Sequence, residues 1–276
     1  MPQNPNFKAQ FSRKHWLIPL CMALLTMPVW LGLFEPTLFY FMNRQLAVMP
    51  DLFWSLLCLL GTAWCLFALT APLLLRAPRV LMAWLCAAPV AGVFARIGKM
   101  VPNNPRPLEV LGIQSVHVVG EPVYIAAMPS GHTLAAFAVA TAIYYSSTVQ
   151  WRPRLAWLFL LALGVALSRL AVGAHWPADV AVGATLGAFS GLAGARLSTT
   201  IPSMYLKPQS WFMRSVALFG LVDLYVLVTD NMGFEANQYW QYALALFLVM
   251  NLVWFLKSSC RPQNSDNPAN LRGSGN

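Results

Sequence analysis

Three short stretches of this chain hold, between them, the side chains needed to seize a phosphate group, attack it and protonate what leaves. They are Lys99 with Arg106-Pro107, then Pro129-Ser130-Gly131-His132, then Ser168-Arg169 followed by His175 and Asp179. Arginine offers a planar fork to phosphate oxygens and lysine a compact charge, so Lys99, Arg106 and Arg169 read as an anion clamp. Pro105 and Pro107 restrict the backbone on either side of Arg106 and hold its guanidinium in a fixed loop.

Pro129 predicts the first turn of a helix, where a missing N–H costs nothing. The amides of Ser130 and Gly131 would then lie unpaired and face a bound anion, and Gly131 would let the backbone approach it closely. His132 stands beside that anion, placed to protonate a leaving oxygen. Pro177 predicts a second helix start, which puts Asp179 in the first turn with its carboxylate reaching back to His175. A carboxylate on one ring nitrogen fixes the tautomer and raises the basicity of the other, so His175 is the better nucleophile of the two histidines. Ser168 is available to donate a hydrogen bond to the same group.

Each stretch alone has a plainer reading: basic residues marking a helix end, a helix cap, an interfacial histidine capped by an aspartate. The surroundings favour the chemical reading. Of 276 residues, 58% are hydrophobic and 10% charged, against about 25% charged in a soluble domain. This is the composition of an integral membrane protein, where polar clusters are expensive. The net charge of +9 forms no dense patch interleaved with aromatics, which argues against a nucleic-acid partner. Cys21, Cys58, Cys65, Cys86 and Cys260 show no metal-site spacing and read as small packing residues.

A spanning helix needs about 20 apolar residues. Candidates fall at 16–34, 53–75, 79–98, 129–148, 154–173, 177–195, 211–229 and 239–256, with 36–45 as an interfacial turn or helix. A count of six or seven remains open if a late segment is interfacial. The expected class is therefore all-α: a polytopic helix bundle with a six-helix core and two extra C-terminal helices. The boundaries read as an N-terminal segment at 1–15, a transmembrane core at 16–198, additional helices at 199–257 and a polar, disordered tail at 258–276.

Loop charges give the orientation. Lys8, Arg13, Lys14, Arg76, Arg79, Arg152, Arg154, Arg196, Lys207, Arg214, Lys257, Arg261 and Arg272 fall on one side of an eight-helix arrangement, which the positive-inside rule makes cytoplasmic. Arg44, Arg96, Glu35, Asp51, Glu109, Glu121, Asp230 and Glu235 fall on the other side with all three motifs. Gly183, Gly187, Gly191 and Gly194 predict close helix packing around the sixth span. The apolar loop 108–127 is long enough to lie over the site, gating lipid entry or reading a headgroup. His15 and His117 read as surface or interfacial residues. Asp223 is a lone carboxylate in an apolar helix and stays outside the site.

The pattern Lys-x6-Arg-Pro, Pro-Ser-Gly-His, Ser-Arg-x5-His-x3-Asp resembles the signature of the type 2 phosphatidic acid phosphatases, or lipid phosphate phosphatases. It covers 99–179 directly and the surrounding six-helix core more loosely. The resemblance implies a metal-independent, cofactor-free phosphatase that works through a phosphohistidine. By it, His175 is the nucleophile, Asp179 its partner and His132 the acid, while Lys99, Arg106, Ser130, Gly131 and Arg169 hold the phosphate. No Asp-x-Asp group lies near the motifs to hold magnesium, so turnover is expected to persist in chelator.

The leading expectation is a bacterial cytoplasmic-membrane enzyme acting on a lipid phosphate or diphosphate at the periplasmic or outer face. Undecaprenyl diphosphate heads the candidates, followed by phosphatidylglycerol phosphate, phosphatidic acid and lipid A. The alternatives are a phosphotransferase that passes the group to a lipid hydroxyl, and a non-catalytic transporter of anionic lipid. The oligomeric state stays open.

Overall fold

The computed structural model describes residues 12–33, 35–100 and 105–260. The expected N-terminal segment and tail, with Lys8, Arg261 and Arg272, lie almost wholly outside these residues, as do Pro102, Asn103 and Asn104.

The described residues form α-helices and short 3-10 helices joined by turns and by one longer loop between Leu111 and Gly131, with no strand among them. In order they are α1 (Leu17–Leu25), α2 (Met27–Trp30), α3 (Thr37–Leu46), α4 (Asp51–Leu60), α5 (Ala63–Thr70), α6 (Leu73–Arg76), α7 (Pro78–Lys99), α8 (Pro107–Leu111), α9 (Gly131–Ser146), α10 (Arg152–Leu155), α11 (Trp157–Ala171), α12 (Pro177–Ser198), α13 (Trp211–Thr229) and α14 (Gln238–Ser259). The all-α expectation is met.

Five segments are long and apolar enough to cross a membrane: Pro78–Lys99, Val149–Ala171, Pro177–Ser198, Trp211–Thr229 and Glu235–Ser259. A sixth arises if α4 and α5, bent by 72° at their junction, count as one span. Among the described residues five or six of the eight expected spans pass this length-and-composition test, and local causes for the shortfall are visible. The run at 16–34 breaks at Thr26, whose hydroxyl turns back to the Met22 carbonyl at 2.8 Å, with Pro28 in the next short helix. The run at 53–75 breaks at Gly61-Thr62, where the Thr62 hydroxyl accepts from the Cys65 amide and starts a new helix. Helix α9 is apolar but only 16 residues long, shorter than a straight crossing requires.

Helices α9 and α12 pack along their length, and α7 closes against both. Glycines make this approach possible, as expected. A Cβ at Gly191 would stand 2.5 Å from the Ala138 carbonyl oxygen and 2.6 Å from Thr141 Cβ, both on α9. Gly183 and Gly187 face α9 in the same way, and Gly194 faces Ala83 and Ala87 of α7. The last two helices dock on α5, with Met213, Leu248 and Phe255 joining Phe67 and Leu81 in the main apolar core.

One end of the bundle gathers the basic loops. Arg76 lies over the Trp254 ring at 5.2 Å and Arg152 over Tyr145 at 5.1 Å. Arg214 donates to the Ser259 carbonyl at 3.1 Å. The motif residues Lys99 and Asp179 sit at the far ends of α7 and α12, about 30 Å away by helix rise.

Because the Gly191 contacts are to the Ala138 and Ala142 backbone and to the Thr141 Cβ, Gly191→Ala is expected to destabilise the bundle by about 1–3 kcal/mol. Gly92 has nothing within 4 Å of an added Cβ, so Gly92→Ala should leave stability near wild type. Thermal unfolding in detergent checks this, and equal melting of Gly191→Ala and wild type would contradict the packing described.

Candidate active site

Arg106 lies between Pro105 and Pro107 as the N-cap of α8, with an extended backbone. Its amide donates to the Tyr124 carbonyl at 2.7 Å. Its Nε donates to Ile125 O at 2.8 Å, one Nη to Ala174 O at 3.0 Å and the other to Ala126 O at 3.3 Å. Carbonyls from two distant loops thus fix the guanidinium plane. Burial, then the neighbouring Arg169, pushes the Arg106 pKa down to about 10, while Asp179 opposes the shift. The group stays cationic at neutral pH and holds donor capacity for an anion.

Helix α9 begins at Gly131, with Ser130 as its N-cap and Pro129 just before it. The expectation that Pro129 sits in the first turn is off by two residues. The Ser130 amide is also engaged, donating to the Asp179 carbonyl at 3.0 Å. The amides left over by helix geometry begin with Gly131 and His132. Ser130 is fully buried, and its hydroxyl accepts from Thr133 at 3.0 Å. Its part is to tie α9 to α12, while Gly131 and His132 face the cleft.

The α11–α12 turn carries the other half. Asp179 Oδ2 takes the His175 Nδ1 at 3.2 Å and the Trp176 amide at 2.8 Å. One carboxylate oxygen therefore both caps α12 and orients the imidazole, leaving His175 Nε2 facing Arg106 Nη1 at 3.5 Å. Glu35 supports the same helix start, accepting from the Ala178 amide at 3.1 Å. Burial raises the Glu35 pKa and that hydrogen bond opposes the rise. His175 and Asp179 are both buried, at 2% and 1% exposure, so the pair is screened from water. Burial pushes His175 well below its ordinary 6.5, and the charges of Arg106, Arg169, His132 and Lys99 push the same way.

Lys99, Arg106, Gly131, His132, Arg169 and His175 line one cleft of about 230 Å³. Residues from three separate motifs therefore meet at one bundle end. Ser168 does not line it: the side chain is fully buried, with its hydroxyl donating to Val165 O at 2.7 Å inside its own helix. Asp179 stands behind His175. No group of three or more His, Cys, Asp or Glu able to hold a metal occurs among the described residues.

Sequence reasoning missed several supports. Cys58, read as plain packing, accepts from Arg169 Nη1 at 2.9 Å and donates to the Ser168 hydroxyl at 3.2 Å. Gly61, at the α4–α5 bend, lies so close to His132 that an added Cβ would stand 2.9 Å from the His132 Cβ. Asn43 donates to the Leu170 and Ala171 carbonyls and accepts from the His117 amide at 2.9 Å, tying α3, α11 and the loop before α9. His117 itself contacts Ala171 O and Asp51, both outside the cleft. None of these carries a local signal, because each partner is distant in sequence.

Residues 79–202 match the family model of the PAP2 superfamily, ending before α13. The motif resemblance is thereby borne out. The crystal structure of Aquifex aeolicus LpxE superposes with a TM-score of 0.50 at 28% identity, covering 60% of this chain and 94% of that one. No curated protein matches the chain. The family match and the shared fold support a lipid phosphatase in a membrane setting.

A histidine held below 6.5 stays neutral as pH falls and protonates late. NMR titration of labelled His175 in detergent should therefore show protonation below pH 6.5 in the free protein. Inorganic phosphate in the cleft should move it upward by neutralising the surrounding cations. Protonation at or above 6.5 without phosphate would contradict this electrostatic picture.

Proposed function

We propose that this chain is a metal-independent lipid phosphatase that hydrolyses a lipid phosphate or diphosphate through a phosphohistidine on His175. The observation that carries the reading is the single cleft in which Lys99, Arg106 and Arg169 surround His132 and an Asp179-oriented His175. The three cations bind the non-bridging oxygens and stabilise the charge they gain in the transition state.

His175 Nε2 attacks phosphorus while the bond to the lipid oxygen breaks. His132 delivers its proton to that oxygen, so the lipid leaves as an alcohol or, from a diphosphate, as a monophosphate. Asp179 holds the Nδ1 proton and stabilises the positive ring that forms. Water then attacks the phosphorus–nitrogen bond, giving its proton to His132 and releasing phosphate. Both histidines return to their starting states.

The positive-inside distribution of loop charge supports a cleft opening at the periplasmic or outer face of a bacterial cytoplasmic membrane. The lipids to test are undecaprenyl diphosphate, phosphatidylglycerol phosphate, phosphatidic acid and lipid A.

The test is phosphate release by purified protein across that panel with EDTA present. Wild type should release phosphate in chelator. His175→Ala should lower release by at least about a thousandfold, the usual scale for loss of a nucleophile, while retaining lipid binding. Undiminished release from His175→Ala, or activity lost in EDTA and restored by magnesium, would overturn the proposal.

A further inference from the structure

The cleft has a second wall, and neither its sequence motifs nor the PAP2-matched segment accounts for all of it. Besides the cations and histidines it is lined by Val119, Glu121 and Val123 of the loop before α9, and by Met232, Gly233 and Phe234 of the α13–α14 turn. That turn lies beyond residue 202, where the family match ends. The last two helices, peripheral by sequence, therefore reach the reaction site.

The turn is fixed on every side. Phe234 is buried in a cluster with Trp54, Cys58, Ala171 and Val172, and Cys58 of that cluster accepts from Arg169 Nη1. Asn237 and Ser55 exchange two hydrogen bonds, Ser55 Oγ to Asn237 Oδ1 at 3.0 Å and Asn237 Nδ2 to Ser55 O at 2.8 Å. Asp230 accepts from the Met232 amide at 2.7 Å and Asn231 from the Gly233 amide at 2.9 Å. Met232 itself holds φ of +52°, a conformation costly for a side chain with a Cβ. Held strain of this kind at a cleft wall points to a demand on position.

The two loops are also joined to each other. The Glu121 amide donates to the Gly233 carbonyl at 2.9 Å, and Asn231 Nδ2 donates to Glu121 Oε1 at 3.4 Å. Gly120, at φ +79°, leaves no room for a side chain beside Gly233 and Phe234. Glu121 makes no ion pair among the described residues, although Lys99, Arg106 and Arg169 line the same cleft. Glu121, an exposed residue, thus brings a carboxylate into the lining of the same cleft as the three cations, with a neutral amide as its hydrogen-bond partner.

We propose that the α13–α14 turn and the Glu121 it holds form a substrate-selecting wall that disfavours a second phosphate beside the first and accepts hydroxyl or ammonium donors there. This deepens the phosphatase reading and rests on it. It shifts the favoured substrate class from lipid diphosphates to lipid phosphomonoesters that carry a hydroxyl or amine near the phosphate. A carboxylate and a second phosphate in one small cleft repel, and the repulsion strengthens as water is displaced. A hydroxyl or ammonium donor meets the same carboxylate as a hydrogen-bond partner.

The experiment compares kcat/KM for phosphatidylglycerol phosphate and undecaprenyl diphosphate in detergent, for wild type, Glu121→Gln and Glu121→Lys. The wild-type ratio should favour the monoester. It should fall about five- to tenfold in Glu121→Gln and further in Glu121→Lys, on the scale of one partly screened charge. The shift should shrink in 1 M salt, where screening acts within about 3 Å. A purely structural Glu121 would lower both substrates together and leave the ratio alone. An unchanged ratio in both variants, or a wild-type preference for the diphosphate, overturns the wall while leaving the phosphatase reading intact. Absence of release from every lipid overturns both.

Discussion

Three like charges converge on one small cleft at the end of an apolar bundle, and the structure is organised around tolerating them. Arg106 spends its donors on carbonyls from Ile125, Ala126 and Ala174, and Arg169 rests on the Cys58 sulfur. These neutral partners hold the cations without discharging them, as carboxylates would. The buried carboxylate nearest by, Asp179, is committed to His175 and to the start of α12. The cleft is left with excess positive charge from Lys99, Arg106 and Arg169.

Beside the cleft one helix pair is broken and two other helices pack closely. Gly61, at the α4–α5 break, lies against both His132 and Val165, so an added Cβ would stand 2.9 Å from His132 Cβ and 2.6 Å from Val165 Cγ1. The glycine face of α12 lets α9 come close enough for the Ser130 amide to reach the Asp179 carbonyl. That bond links the start of α9, which carries His132, to the first turn of α12, which carries Asp179. Small residues and helix breaks thus set distances within the site, although none of them touches it chemically.

The helical class and the gathering of the three motifs at one end were legible in the chain, because both depend on short-range pattern. Apolar runs read as helices, and His175 with Asp179 reads as a pair because a capping residue lies one turn away. Breaks at Thr26 and Gly61 were hidden inside uniformly apolar runs, where composition outweighs a single threonine or glycine. Ser168 reads in the sequence as a hydrogen-bond donor to the bound group, while in the structure its hydroxyl closes on Val165 O of its own helix. Cys58, Asn43 and the Met232–Phe234 turn act through partners far along the chain. No periodicity announces such contacts, and only the assembled bundle reveals them.

In the proposed reaction His175 carries the phosphoryl group, and locating that group on the protein decides the point. The protein would be mixed with phosphorus-labelled lipid phosphate, quenched within milliseconds in alkali and analysed by peptide mass spectrometry and ³¹P NMR. The predicted result is a phosphoryl group on His175, stable to alkali and lost in acid as expected for a phosphorus–nitrogen bond, and absent from His175→Ala. Label on a serine or aspartate, or turnover with no label on the protein at any quench time, would contradict it.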